Sequence, residues 1–295
     1  MIQKDRVYQL TIGDTNTGTG FIIDSSLQIR VRITKNADNK RSGANTATIE
    51  IYNLNPDHIN MLESEYLYCK FSAGYKGVAG ALVLVEGNIV ECSTVKRGTD
   101  FVTELTMGEG YTDLNHVRLK QMVAPGKTNL DVIEEIRSKC PGLARGAYTG
   151  EGLNKTTMFG YPLTGSPLRA LKEICEANNM EFNVSGGVLN VSDVNGLLSK
   201  NQTLAPIVSE ETGLIDVPFF TSADGRMLPK DKRRRRGVQF KALLNAEYNP
   251  GYIVKIESQF ITGIYRINSS LYTCDFRGND WYVECFCSEI MAEEL

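Results

Sequence analysis

The strongest constraint on the fold of this chain is a strict alternation of apolar and polar residues in its first third. Residues 27–34 have the sequence Leu-Gln-Ile-Arg-Val-Arg-Ile-Thr, and the same period of two recurs over residues 47–51, 67–73 and 101–107. Successive side chains of a β-strand point to opposite faces, so this period is typical of strands with one buried and one solvated face. We therefore expect four or more half-buried strands in this part of the chain.

A short helix is expected between the second and third of these strands. Asn55 can cap its first turn, and Pro56 follows at the first helical position, where a missing N–H breaks no helical hydrogen bond. Ile59 and Leu62 then lie on one side of the helix. We expect this helix to close one end of the sheet.

The period of the pattern changes near residues 108–118, and helices are expected in the middle third. Thr128 and Asp131 fit a variant of the capping box, which predicts that a helix begins there. Ser166 and Pro167 predict the start of a second helix. Residues 185–187, Ser-Gly-Gly, predict a hairpin directly after it, because glycine tolerates the positive φ of tight turns.

From about residue 205 the strand pattern returns. The predicted strands cover residues 238–240, 252–256, 259–267, 271–276 and 281–287. Their spacing favours a compact antiparallel barrel or sandwich. The expected fold is therefore mixed but mainly β, with an N-terminal β domain over residues 1–115, an α+β middle domain over 116–204 and a C-terminal β domain over 205–295.

Composition excludes several classes of protein. Hydrophobic residues make up 42% of the chain and charged residues 23%, which is ordinary for a globular protein. The longest apolar stretch, residues 78–85, is much shorter than the roughly 20 residues of a membrane-spanning helix, and no signal peptide is apparent. The net charge of −3 gives no general attraction to nucleic acid or anionic membranes. We expect a soluble chain.

The seven cysteines are scattered and include no Cys-x-x-Cys pair. Cys285 and Cys287 are two residues apart, so in a strand both sulfur atoms point to the same face, about 7 Å apart along it. We expect reduced, buried thiols rather than disulfides or metal ligands.

Catalytic signatures are absent from the sequence. It contains no Gly-x-Ser-x-Gly, His-Glu-x-x-His, P-loop or dinucleotide-binding pattern. His58 and His116 are the only histidines, too few for a three-histidine metal site and poor material for a histidine-based triad. We expect no catalytic residue, no cofactor and no metal.

A basic run stands out in this slightly acidic chain. It comprises Lys230, Lys232, Arg233, Arg234, Arg235 and Arg236, interrupted only by Asp231. Three interpretations are open: a solvated loop, a docking surface for an acidic protein, or a contact with a polyanion. No aromatic residue is interleaved, which disfavours stacking on nucleic-acid bases.

Five segments of the last third share a recognisable pattern, at residues 213–218, 238–245, 249–256, 263–267 and 280–283. Pro-Gly precedes one strand, Gly-x-Tyr-x-Ile lies in the next, and an aromatic pair opens the last. This pattern resembles the barrel of the baseplate hub proteins of contractile-tailed bacteriophages, a family with relatives in type VI secretion spikes. Residues 29–33 and 45–54 are similar to the opening strands of the hub's first tube domain, so the resemblance covers most of the chain.

Four positions of the C-terminal segment have a physical role in such a barrel. Gly251 and Gly263 suit tight turns or a close approach of the backbone, and Trp281 supplies a large buried anchor. The alternation around Tyr265 gives a barrel its inward and outward faces.

The resemblance implies a mechanical role. Family hubs are ring-shaped homotrimers whose subunits each contribute two tube-like antiparallel β-barrel domains, so three chains present six similar domains to the hexameric tail tube. Their other end holds the three-fold central spike protein, and their lumen continues the channel for the tape-measure protein and, transiently, DNA. On this basis we expect a non-enzymatic protein of the virion tail baseplate. It would be assembled in the host cytoplasm with other baseplate proteins and without stable membrane association.

The resemblance also gives the basic run an expected place, facing either the lumen or a neighbouring baseplate protein. Two other functions stay open. One is a tail-associated peptidoglycan hydrolase, although two barrels and an α+β insert leave no segment of enzyme size. The other is a receptor-binding tail protein, although no surface cluster stands out among the 13 tyrosines.

Overall fold

The computed structural model describes residues 5–15, 17–38, 45–63, 66–77, 80–222 and 235–290. The first part of the chain contains β1 (Arg6–Gly13), β2 (Gly20–Asp24), β3 (Ile29–Asn36), β4 (Thr46–Tyr52), α1 (Pro56–Met61), β5 (Tyr68–Tyr75), β6 (Gly80–Arg97), β7 (Asp100–Gly108) and α2 (Tyr111–Asn115). The expected alternation is confirmed in β3, where every second residue from Ile29 is buried. The cap of α1 is also confirmed, because the Asn55 side chain accepts a 2.9 Å hydrogen bond from the Asp57 N–H.

The middle part contains β8 (Leu119–Val123), α3 (Asn129–Ser138), β9 (Ala144–Tyr148), β10 (Tyr161–Gly165), α4 (Pro167–Ala177), β11 (Met180–Ser185) and β12 (Val188–Asp193). Thr128 and Asp131 form the predicted capping box of α3, and the Ser166 side chain caps α4. Gly186 and Gly187 form the predicted two-residue turn between β11 and β12, both with positive φ. The buried side chains of α3, α4 and these strands form a core of their own.

The last part contains β13 (Ile207–Val208), β14 (Phe219–Ser222), β15 (Arg236–Leu243), β16 (Ile253–Glu257), β17 (Thr262–Asp275) and β18 (Trp281–Glu289). Within the described ranges, its strands join those of the first part in one sheet. The order is β14-β15-β18-β17-β3-β4-β7-β6-β5-β1-β2, with β16 beside β17 and β13 beside β16. Neighbours are antiparallel except for β13 and β16. The junction is the pairing of β17 with β3, where Tyr272 lies opposite Ile33.

This large sheet curls around one core. Buried residues from both parts of the chain, such as Phe71 and Tyr272, belong to the same cluster. Near one end of the strand path, Arg6 of β1 donates hydrogen bonds to the carbonyl oxygens of Asp275 and Gly278 in the turn before β18. The sheet therefore folds back until β1 meets the turn between β17 and β18.

The predicted mixed, mainly β fold with an α+β middle is confirmed. The pairings of the described strands trace an open path from β14 to β2 and close no barrel. The division of the chain at residues 115 and 204 stays a prediction, as does a separate tube-like barrel on each side of the middle part.

The seven cysteines all lie in the described ranges and form no disulfide there, and all except the half-buried Cys92 are buried. Cys285 and Cys287 lie in β18 as expected, and burial raises the pKa of both thiols. None of the helices in the described ranges is long and apolar enough to cross a membrane. In the same ranges, no three His, Cys, Asp or Glu side chains group in a way that would hold a metal ion.

Candidate assembly surfaces

Trp281 lies where the two parts of the large sheet meet. Its side chain is buried at the start of β18, beside Phe276 at 6.2 Å between ring centroids. The guanidinium carbon of Arg6 lies 5.5 Å from the Trp281 ring centroid, within the range of a cation–π contact. The side chain thus anchors the last strand against the first.

Gly251 lies where the segment leaving the middle part crosses the sheet. Its φ is +86°, and a Cβ atom there would lie 2.6 Å from Leu198 Cδ1. The Gly251 carbonyl accepts a 3.0 Å hydrogen bond from the Leu198 N–H, while its own N–H donates to Ile267. Glycine is required here by both φ and space.

Gly263 and Tyr265 lie together on β17. A Cβ atom at Gly263 would come within 3.2 Å of the Tyr265 ring, so the ring covers the glycine. Tyr265 is partly buried against the core, and this burial raises the pKa of its hydroxyl. The pair lies where β17 pairs with β16.

The structure describes only the end of the basic run. Lys230, Lys232, Arg233 and Arg234 lie outside the described residues. Arg235 is buried and its Nη1 donates to the Glu289 carbonyl oxygen at 3.5 Å. Arg236, exposed at the start of β15, has its guanidinium carbon 5.7 Å from the ring centroid of Phe220. The end of the basic run therefore leads into β15, which pairs with β14, the terminal strand of the sheet.

That terminal strand is apolar and exposed. Phe219 and Phe220 are 53% and 54% exposed, and Phe286 of β18 is exposed on the same face as Phe219. Among the described pairings β14 contacts only β15, so its outer edge presents backbone N–H and C=O groups. Such an edge is a template for pairing with another chain.

A second unpaired edge lies on the hairpin of β6 and β7. Residues 80–88 of β6 pair with β5, whereas residues 88–97 pair with β7 on the other side. Beyond Asn88, the β5 side of β6 therefore has no strand partner among the described residues. Val90, Val95 and the neighbouring Phe101 of β7 are exposed there. The long β6 thus carries a second strand-pairing edge.

One buried ion pair fixes the middle part to the sheet. Arg266 of β17 and Glu181 of β11 are 2% and 5% exposed, and the Arg266 Nη2 donates to Glu181 Oε1. Arg266 Nε also donates to the Gly196 carbonyl at 2.8 Å, and Nη1 to Asn268 Oδ1 at 2.8 Å. The guanidinium thus has a partner on both sides of the junction.

A second junction surrounds Glu109. This buried carboxylate accepts hydrogen bonds from Asn45 Nδ2 at 2.7 Å and from the Gly186 N–H at 3.1 Å. Asn45 Nδ2 also donates to the Val184 carbonyl, so the β11–β12 turn is held to the sheet. Burial raises the pKa of Glu109, and Lys35 counteracts it.

These junction residues could not be recognised from the sequence. Glu181 and Arg266 each occur in alternating strand segments, where a charged residue indicates a solvated face. Met180, Glu181 and Phe182 belong to a strand that is buried on both faces, and a charged residue in such a strand needs a buried partner. The burial of both faces is known only from the structure, so the sequence alone does not indicate that Glu181 is paired.

Both histidines pack against aromatic rings. His58 is stacked on Phe21 at 4.1 Å between centroids, and His116 lies edge-on to Tyr66 at 4.6 Å. Aromatic packing accounts for the position of each histidine. The two histidines do not form a catalytic arrangement with each other.

Comparison with known families decides the classification. The model of the family described as baseplate hub gp41 matches residues 8–287, nearly the whole chain. The chain belongs to the baseplate hub gp41 family. No curated protein matches its sequence. This membership confirms the resemblance to baseplate hubs and supports a structural role in a phage tail.

Solved structures show the same fold at low sequence identity. A tail protein of Neisseria meningitidis MC58 has a TM-score of 0.65 at 11% identity, with 96% of each chain covered. The 43 kDa tail protein of prophage MuSo2 from Shewanella oneidensis has a TM-score of 0.63 at 9% identity, covering 96% of this hub and 98% of that chain.

The fold also extends to secretion systems. The E. coli c3393 protein, a type VI secretion component similar to T4 tail proteins gp27 and gp5, has a TM-score of 0.63 at 8% identity. The alignment covers 96% of this hub and 77% of that chain. The fold is thus shared between phage tails and type VI secretion.

Proposed function

We propose that this hub is a homotrimer that joins the hexameric tail tube to the three-fold central spike and forms part of the channel between them. The observation that carries the proposal is the family match over residues 8–287. A trimer of chains with two tube-like halves would offer six similar surfaces to the tube. The role is mechanical, and the protein is not an enzyme.

Ring closure of a trimer needs heterologous contacts, in which one surface of a subunit binds a different surface of the next. The two unpaired edges, at β14 and at residues 90–97 of β6, are suited to this contact because they differ in sequence and lie on different parts of the sheet. Pairing them would also remove exposed edges from the assembled ring.

The remaining partners follow from this placement in the baseplate. The channel would hold the tape-measure protein and, transiently, DNA, while the outer surface would contact other baseplate proteins. We assign the basic run, Lys230 to Arg236, to the lumen or to a neighbouring baseplate protein. Assembly would take place in the host cytoplasm, before the tail is complete.

Light scattering with negative-stain imaging tests the trimer. The expected result is a ring of about 98 kDa, three times the 32.7 kDa chain. The double variant Phe219→Lys/Phe220→Lys should release monomers, because charge on an edge strand opposes pairing. Phe260→Lys is the matched control, since Phe260 is exposed outside both edges. A monomer that persists with tube and spike proteins present contradicts the proposal.

Charge reversal tests the basic run. Arg233→Glu/Arg234→Glu/Arg236→Glu leaves the buried Arg235 in place, so the fold should persist. We expect fewer complete baseplates or failed DNA delivery, scored by electron microscopy and plaque titre. Normal infectious particles would remove the assigned role.

A further inference from the structure

The two most exposed large hydrophobic side chains of the described residues are neighbours in the middle part, and a third exposed one lies beside them. Met158 and Phe159 are 84% and 82% exposed, and Met122 of β8 is 68% exposed. Contiguous apolar surface of this kind on a soluble protein marks an interaction site more often than an isolated exposed residue does. We call these three residues, with Lys120, Lys127 and Lys155, the basic apolar ridge.

Backbone pairing holds the ridge in place. The Gly126 N–H donates to the Thr157 carbonyl at 2.8 Å, and the Thr157 N–H donates to the Lys127 carbonyl at 2.8 Å. A few residues away, Val123 of β8 pairs with Tyr161 of β10. Met158 and Phe159 therefore project from a stretch that is tied to residues 126–127 on one side and to β8 on the other.

Met122 lies beside the same stretch. A Cβ atom at Gly160 would lie 3.3 Å from Met122 Sδ, so the Met122 side chain reaches the residue next to Phe159. Lys120 is exposed like Met122, two residues along β8, whereas Leu119 and Val123 are buried. Lys120 and Met122 thus share the outward face of β8.

The two segments that carry the ridge contain basic but no acidic residues. Residues 117–128 and 152–165 contain Arg118 and the three ridge lysines but no Asp or Glu, although the whole chain has more acidic than basic residues. Two carboxylates of the neighbouring α3 lie close to the ridge and offset part of its charge, and the charge of Lys127 acts on Asp131. Asp131 accepts from Thr128, and Glu135 accepts from Gln121. The ridge thus combines basic and apolar side chains in a chain whose net charge is −3.

We propose that the ridge binds an acidic segment of another tail protein whose apolar side chains cover Met122, Met158 and Phe159. The lysines select for acidic residues, while the aromatic ring and the two flexible methionines provide an adaptable apolar contact. A second copy of this chain is a less suitable partner, because it carries the same basic ridge as well as a net negative charge. A lipid surface is disfavoured because the rest of the chain is acidic.

Fluorescence anisotropy with the full chain tests the proposal without reference to trimer formation. The probe is a labelled peptide of about 12 residues that alternates Glu with Leu. A matched peptide has Lys in place of every Glu. We expect the Glu peptide alone to bind, with an affinity that falls when salt rises from about 50 to about 500 mM.

The double variant Met158→Ser/Phe159→Ser should weaken binding of the Glu peptide at least about tenfold. Both side chains are exposed, so the fold should be unaffected. Phe260→Ser, which removes another highly exposed aromatic ring, should bind like the unaltered chain.

Three results would overturn the proposal. The first is equal binding, or no binding, of the Glu and Lys peptides. The second is stronger binding of the unaltered chain to phosphatidylglycerol vesicles than to the Glu peptide, lost in the double variant, which would assign the ridge to a lipid. The third is self-association that the double variant abolishes, which would assign it to a second copy. The last two results leave the hub function untouched.

Discussion

Removing the guanidinium of Arg266 should destabilise the protein in a way that depends on pH. Arg266→Met keeps an apolar side chain of similar reach but leaves Glu181 buried without its cation. An isolated carboxylate is so unfavourable in a buried site that it takes up a proton instead. The variant should therefore fold with Glu181 protonated.

The expected loss in the free energy of unfolding comes mainly from the cost of protonating Glu181. The ordinary pKa of the carboxyl is 4.5, and in the unaltered protein burial raises this pKa while Arg266 counteracts the rise. Relative to a carboxylate with the ordinary pKa, protonation at pH 7 costs about 3.4 kcal/mol, or about 1.4 kcal/mol per pH unit, which is the upper bound of this contribution. The Gly196 carbonyl also loses its Arg266 donor, which costs about 1 kcal/mol. The free energy of unfolding at pH 7 should fall by at most about 4 kcal/mol, within the range for broken buried ion pairs.

The pH dependence has a definite sign. The pKa of Glu181 in the folded variant lies far above its value in the unfolded chain, so between about pH 7 and pH 5 folding takes up a proton. Stability of the variant relative to the unaltered protein therefore rises as the pH falls. At about pH 5.5 the deficit should shrink to at most about 2 kcal/mol.

Urea unfolding followed by tryptophan fluorescence measures this deficit, because Trp281 is the only tryptophan and is buried. Arg169→Met is the control, since Arg169 and Glu173 form an exposed pair on α4 whose loss should not be measurable. Arg266→Met/Glu181→Met should recover most of the stability, because no buried charge remains. A deficit that is independent of pH, or a double variant as unstable as the single one, would refute this reasoning.

Further predictions concern packing and thiol reactivity. Gly251→Ala should lower the free energy of unfolding by more than about 2 kcal/mol, because the added Cβ would collide with Leu198. Gly18 also has a positive φ, but a Cβ there would meet no other atom, so Gly18→Ala should cost about 1 kcal/mol in the same urea assay. Trp281→Ala should cost about 3–5 kcal/mol, measured by circular dichroism during urea unfolding; a cost below about 1 kcal/mol would contradict its role as an anchor. Iodoacetamide should modify Cys92 first in the native protein, and mass spectrometry finding a buried cysteine modified at the same rate would contradict the described burial.

Much of the local structure could be predicted from the sequence. The alternation in β3 and the cap at Asn55 depend on residues that are close together in the chain. The same holds for the capping box that begins at Thr128 and the glycine turn at residues 186–187. These features involve the backbone geometry and the burial of single elements, which a pattern of neighbouring residues reflects directly.

The arrangement of the strands could not be predicted in this way. Nothing local in β3 indicates that β17 pairs with it, because strand pairing depends on complementary edges far apart in the chain. The exposed β8–β10 ribbon, which carries the basic apolar ridge, was not predicted because its strands are short and lie among helices. Of the basic run, the structure describes only Arg235 and Arg236, and its role stays a prediction.

The pairing of β3 with β17 has a consequence for synthesis of the protein. When the residues of β3 emerge from the ribosome, their partner strand has not yet been synthesised, since β17 begins only at Thr262. One edge of β3 must remain unpaired while the whole middle part is translated. The middle part has its own core and can fold during this interval. A chain that ends before β17 would retain that exposed edge, which makes such a fragment prone to aggregation.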